Sequence, residues 1–217
     1  MFRRNGRVPG TRSSRVVASD VIIVRVGEGT QREDFSVHES IVRPRSEFFA
    51  NALPNAPIEG TSKVIKLPDQ TPKIFRRYLD YLYTTMLPAG TIEVSDQFVQ
   101  LSNLYVLCEK LVDVGLKDVI LRKMVTLAQE RYMVLNSLAE TVDIIYNGTP
   151  SYSNARCLLL DIFVDSGTHT WLPADWDPPK QFLRDLATGL LMKRPFPTDS
   201  SDSLFTCDPS RYMEKEE

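Results

Sequence analysis

Every segment of this sequence that reads as a β-strand lies before Pro68, and every periodic segment after it reads as a helix. That order restricts the fold more than any single motif does. Val21-Ile22-Ile23-Val24-Arg25-Val26 is β-branched and almost continuously apolar, the pattern of a buried strand. Gly27-Glu28-Gly29 supplies a turn, and Glu33 to Val37 can return as the second strand of a hairpin. Val64-Ile65-Lys66-Leu67 is a third short strand, stopped by Pro68. Three short strands form a small sheet, and the helices must cover it and one another because each has an apolar stripe to bury. The fold class is therefore α+β with an excess of helix.

The helices follow from spacing and capping. His38 to Val42 reads as one helical turn. Ser46 is a good N-cap for a helix through Phe48, Phe49 and Leu53, with Glu47 in the first turn suiting the macrodipole. Thr71 caps the next, with Pro72 at the first helical position, where its missing N–H costs nothing. Phe75, Tyr78, Leu79 and Leu82 make its apolar stripe. Phe98, Leu101, Tyr105, Cys108 and Val112 form another, widened by Leu104, Leu107 and Leu111 into a helix that should be mostly enclosed. Leu116, Ile120, Met124 and Leu127 repeat the pattern. Leu138, Val142 and Ile145 give a short helix that Asn147-Gly148 can end. Leu158 to Val164 is long enough for two helical turns. Trp171 to Pro179 reads as a loop pinned by its two tryptophans, although an aromatic platform for a ligand is a second reading. Phe182, Leu183, Leu186 and Leu190 close the series.

Composition narrows the function. The hydrophobic fraction is 42% and the net charge −2, so a core can form without staples and the whole molecule is not built for nucleic acid. Cys108, Cys157 and Cys207 are far apart and the histidines are only His38 and His169, which does not supply the roughly four close ligands of a zinc site. The odd cysteine count fits a reducing, intracellular compartment, cytoplasmic or nuclear. No apolar run approaches the ~20 residues that span a bilayer. Residues 1–18 carry Arg3, Arg4, Arg7, Arg12 and Arg15 without an acid, and read as a disordered basic leader. Gly6, Pro9 and Gly10 break the helix that a mitochondrial transit peptide would need. Residues 195–217 shift to Pro, Ser and acids and read as a disordered acidic tail.

Five landmarks in order then resemble the BTB/POZ family. Ser19-Asp20-Val21 looks like its opening strand, Phe35-Ser36-Val37-His38 its second strand, and Arg45-Ser46 with Phe49 its helix start. Lys66-Leu67-Pro68-Asp69 with Phe75, and Tyr81-Leu82-Tyr83-Thr84, complete the run, and Leu104 to Leu111 is similar to the family's next helix. The resemblance implies a BTB/POZ fold over 19–125, a small three-stranded sheet covered by a helical bundle. Ile145-Tyr146, Thr149-Pro150, Arg156, Leu158-Leu159 and Phe182-Leu183 with Leu186 resemble the helical extension of fungal members, placed at 126–194.

What the resemblance implies is a non-enzymatic scaffold whose partners are proteins: itself, another BTB domain, a cullin scaffold of a ubiquitin ligase, or a corepressor. It implies no cofactor, no metal and no small-molecule substrate. Asp20, His38, Arg45, Ser46 and Phe49 are expected as structural residues, Asp20 as a carboxylate capping the strand start and His38 hydrogen-bonded where strand meets helix. Corepressor-binding members carry Lys or Arg after that His; Glu39 stands there instead and is expected to repel Asp20. The apolar-x-Glu motif of cullin-binding members matches Pro57-Ile58-Glu59, which makes Ile58 and Glu59 the candidate partner contacts, although Pro57 fills a pocket poorly. The leader is too short and broken for the swapped dimer of some members; a dimer through exposed apolar faces stays open. The expected function is a cullin-type ubiquitin ligase adaptor. The alternative is a nuclear transcription or chromatin regulator that dimerises through the BTB domain and touches nucleic acid through the leader arginines. An enzyme would need a nucleophile or metal beside His38, and no such motif occurs.

Overall fold

The computed structural model describes residues 20–53, 64–87, 93–131 and 138–194. Strand β1 (Val21–Val26) lies at the centre of a three-stranded sheet, antiparallel to β2 (Glu33–His38) and parallel to β3 (Val64–Leu67). The central position explains the nearly unbroken apolar run: Ile22, Val24 and Val26 are fully buried. Ile22 pairs with Val37 and Val24 with Phe35, so the inward rows of both strands coincide. On the outer face Arg25 meets Asp34 in two parallel hydrogen bonds of 2.8 Å. That contact holds the Asp34 carboxyl below its ordinary range and raises the Arg25 guanidinium, but the pair is exposed and serves register more than stability. The hairpin turns through Gly27 and Gly29, both at positive φ; a Cβ on Gly27 would also sit 3.0 Å from the Gln31 carbonyl oxygen.

Helices α1 (Glu39–Val42) and α2 (Glu47–Ala52) follow β2, and α3 (Pro72–Thr84) follows β3. Thr71 stands at the N-cap of α3, but its hydroxyl makes no capping bond; the fixed φ of Pro72 marks the start. The buried face of α3 is Phe75, Tyr78, Leu79 and Tyr81, with Leu82 half-buried at its edge.

Helix α4 (Val94–Leu111) is the axis of the molecule. Half of its eighteen residues are buried, which leaves it almost no solvent face. It packs on α2 and α3 on one side and on α5 (Val114–Arg131) and α6 (Ala139–Gly148) on the other. Val112 departs from the stripe expected of it: it ends α4 in the left-handed conformation, φ 53°, with its side chain 42% exposed. The chain has to turn there within two residues to start α5. A β-branched residue is strained at positive φ. Hydrogen bonds from Val112 N–H to the Glu109 carbonyl (3.2 Å) and from Asp113 N–H to the Cys108 carbonyl (3.0 Å) hold it.

Helix α5 runs without a break through residue 125, so the domain boundary expected there falls inside a helix. Gly148 is the last residue of α6 and not a left-handed cap beyond it. Its reason is proximity: a Cβ at Gly148 would lie 2.6 Å from both γ-methyls of Val106 on α4. Helix α7 (Asn154–Ser166) is longer than the two turns expected, because Ser153 caps it by accepting the Ala155 N–H at 3.3 Å. A single 3-10 turn, His169–Trp171, leads toward α8 (Lys180–Lys193). One buried apolar cluster extends from Ile22 on β1 to Leu186 on α8. The leader, the tail, Ile58 and Glu59 lie outside the described residues.

Candidate functional site

The family-motif residues gather at the end of the sheet where β2 enters α1, and along α2. Asp20 contributes its backbone and not the expected capping carboxylate. Its carbonyl oxygen accepts the Glu39 N–H at 2.9 Å, and its exposed carboxylate makes no hydrogen bond among the described residues. Glu39 does not stand against Asp20 as an uncompensated charge, because Arg43, one helical turn on, donates to Oε1 at 2.6 Å. The repulsion expected between the two carboxylates is therefore removed by a local ion pair. His38 is held by Tyr83: Nδ1 is 2.9 Å from the phenol oxygen, and the His38 backbone N–H donates to the same oxygen at 3.2 Å. A neutral His38 with its proton on Nε2 lets the phenol donate to Nδ1 and accept from the backbone together.

Arg45, Ser46 and Phe49 belong to a deeper joint. The Ser46 hydroxyl accepts the Phe49 N–H at 3.2 Å and donates to the Leu111 carbonyl at 2.5 Å. One side chain thus caps the start of α2 and satisfies the end of α4. Phe49 fills the space beneath, fully buried. The Arg45 guanidinium reaches from the surface to 3.6 Å from Oδ1 of Asp113 and lies 5.8 Å from the centroid of the Tyr81 ring. Asp113 is completely buried. Its Oδ1 also accepts the Leu116 N–H at 2.9 Å, capping α5, and its Oδ2 accepts the Tyr78 hydroxyl at 3.2 Å. Burial pushes the Tyr78 phenol and the Cys108 thiol well up, with the Asp113 carboxylate adding to both shifts.

A second joint fastens the helical extension. Arg156 at the start of α7 is 91% buried in the gap below α6. It donates to the Thr149 hydroxyl at 3.1 Å, to the Tyr146 carbonyl at 2.6 Å and to the Thr149 carbonyl, with its charge 4.7 Å from the Tyr146 ring centroid. Around it, the Tyr105 hydroxyl on α4 lies 3.3 Å from the Ser153 hydroxyl that caps α7. Trp176 Nε1 donates to the Asp143 carboxylate at 3.1 Å, and Trp171 packs edge-on against Phe163 at 5.3 Å between centroids. The two tryptophans pin their loop to the body.

Both joints bury polar groups that satisfy one another. Among the described residues no cluster of His, Cys, Asp and Glu could hold a metal ion, and no helix is long and apolar enough to cross a membrane. The family model for the BTB/POZ domain matches residues 12–114, so the chain contains a BTB/POZ domain, and that domain supports a protein-interaction scaffold role. The match ends at the first residue of α5, so the rest of α5 and the helices after it lie beyond it. Among solved structures, the BTB domain of zebrafish PATZ1 is 22% identical, covering 48% of this chain and 75% of that chain, with a TM-score of 0.35. No curated protein matches.

Asp113 and the role of Arg156 were missed by sequence reasoning. Asp113 has one legible signal, its place three residues before Leu116 at the start of a helical pattern, where an acid reads as an N-cap.

Proposed function

We propose that this chain is a non-enzymatic adaptor whose BTB half engages a cullin-type scaffold and whose helical extension presents a second protein to it. The supporting observation is the shared burial of α4. Helices α2, α3 and α5 and helix α6 of the extension all pack against α4, so one buried helix ties the two parts together. An adaptor in a ligase needs that tie, because transfer depends on where the second protein is held. The cullin contact is assigned to Ile58 and Glu59, the positions that match the motif of cullin-binding members. Capture of the full chain by a purified cullin scaffold tests the reading, and Glu59→Lys should abolish capture by reversing a charge at the interface. Absence of capture by any cullin scaffold removes the ligase role and leaves a scaffold for other proteins. The nuclear alternative predicts DNA affinity that falls, with its salt slope, on deletion of residues 2–15.

A further inference from the structure

The outer face of the sheet holds like charges side by side that the fold does not fully neutralise. Arg25 on β1 is in register with Asp34 on β2 and with Lys66 on β3, so the three side chains stand in one row across the strands. Ile65 and Leu67 on either side of Lys66 point into the core, which puts Lys66 on the outer face beside Arg25. Like charges on neighbouring strands destabilise a sheet. Asp34 compensates Arg25 but lies one strand further from Lys66, and Lys66 forms no ion pair among the described residues. Arg32, exposed after the hairpin turn, is a third cation here. Its charge adds to the Arg25 hydrogen bond in holding the Asp34 carboxyl low, yet it stands beyond ion-pair distance.

All three cations line one recess of about 330 Å³ beside the hairpin turn, together with Glu28 and the bare backbone of Gly27 and Gly29. That volume is within the range of sites for small groups. Asp34 occupies Nε and Nη2 of Arg25, which fixes the plane of the guanidinium and leaves Nη1 to donate elsewhere. Lys66 and Arg32 supply donors of their own. At Gly29, φ 57°, there is open space where a Cβ would stand, so the turn leaves the recess unfilled. A phosphorylated side chain presents three acceptor oxygens and a charge of about −1.5 to −2, and three separate cations can meet it. A carboxylate offers two oxygens and a single charge, which leaves one cation unmatched. Glu28, the one acid on the lining, opposes either anion. We infer that this recess binds the phosphate group of a phosphorylated serine or threonine on a partner protein, held by Arg25, Arg32 and Lys66. The site is separate from the cullin contact, and its failure would leave that reading untouched.

The test titrates the full, isotope-enriched chain with N-acetyl-O-phosphoserine amide at constant ionic strength. The amide signals of Gly27 and Gly29 and the Arg25 Nε–H signal should shift and saturate, with a dissociation constant of order millimolar for the isolated group. Lys66→Gln and Arg32→Gln should each weaken binding about three- to fivefold, and Glu28→Gln should tighten it by a similar factor. All three positions are exposed, and an unchanged urea midpoint shows that each variant is folded. Shifts that do not saturate overturn the inference, as does binding that either Lys66→Gln or Arg32→Gln leaves unchanged. Three further probes separate other occupants, and each overturns it by its own outcome. N-acetylglutamate amide binding as tightly makes this a plain carboxylate site, and inorganic phosphate binding more tightly makes it a site for the free ion. A short oligothymidylate binding more tightly through the same signals makes it a nucleic-acid contact.

Discussion

The two buried joints solve one problem in opposite ways. At the first, a carboxylate is taken out of water: Asp113 sits at the turn between α4 and α5 and is satisfied by the Tyr78 hydroxyl, the Leu116 N–H and the partly exposed Arg45. At the second, a cation is taken out of water: Arg156, in the first turn of α7, meets no carboxylate within ion-pair distance among the described residues. Its charge is compensated by carbonyl oxygens at the C-terminal end of α6, where the helix dipole is negative, and by the Tyr146 ring. The buried anion caps the N-terminus of α5, whereas the buried cation springs from the first turn of α7 and reaches across to the C-terminal carbonyls of α6. The first joint retains a solvent-facing partner; the second is closed. That difference sets what each tolerates.

The largest effect is expected at the closed joint. Arg156→Leu strands the Tyr146 and Thr149 carbonyls and should cost about 3–4 kcal/mol, read as a drop in the urea midpoint without a change of slope. Asp113→Leu orphans the Tyr78 hydroxyl and the Leu116 N–H, but water can enter beside Arg45, so about 2–3 kcal/mol is expected. A larger loss at Asp113 than at Arg156 would reverse the comparison. Gly148→Ala drives a methyl group into Val106 and should cost about 1–2 kcal/mol, with Val106→Ala in the same chain restoring part of it. Arg45→Gln, removing the exposed partner alone, should cost only about 0.5 kcal/mol.

Alkaline pH sharpens the comparison further. Burial raises the Tyr78 and Tyr146 phenols above the ordinary tyrosine range, so the folded chain holds protons that the unfolded chain releases near pH 10. Their contribution is therefore complete below that pH and is lost as pH rises above it. The urea midpoint should fall between pH 8 and 11, and should fall less in Tyr78→Phe or Tyr146→Phe; an equal fall in both variants and the parent would place the titration elsewhere.

The elements were legible in the sequence because each is held by a periodic apolar face that needs no knowledge of its partner. Val21–Val26 declared a buried strand, and Phe98 to Leu111 an enclosed helix. The joints were not, because their chemistry lies between elements. Arg45 and Ser46 were readable as a motif, but their partners, Asp113 and the Leu111 carbonyl, become visible only when α2 is laid across the end of α4. Arg156 falls inside a helical pattern, where a charge usually means a solvated face. Val112 and Gly148 were misread in a related way: spacing placed them on a stripe and at a cap, whereas turn geometry and the approach of a neighbouring helix determine them. Ile58 and Glu59 lie outside the described residues, and their role rests on the resemblance alone.

Both tryptophans of the chain lie in the extension, Trp171 against Phe163 and Trp176 on the Asp143 carboxylate, while Tyr78 and Tyr105 are buried in the BTB half. The molecule thus carries its own two-colour optical reporter. Emission excited at the red edge of the indole band follows the extension, whereas tyrosine absorbance, from four tyrosines in the BTB half and four after residue 125, follows the whole chain. Because α4 is shared, the two signals should move along one curve as the chain unfolds; separate curves would mean that light has distinguished two bodies where the packing shows one.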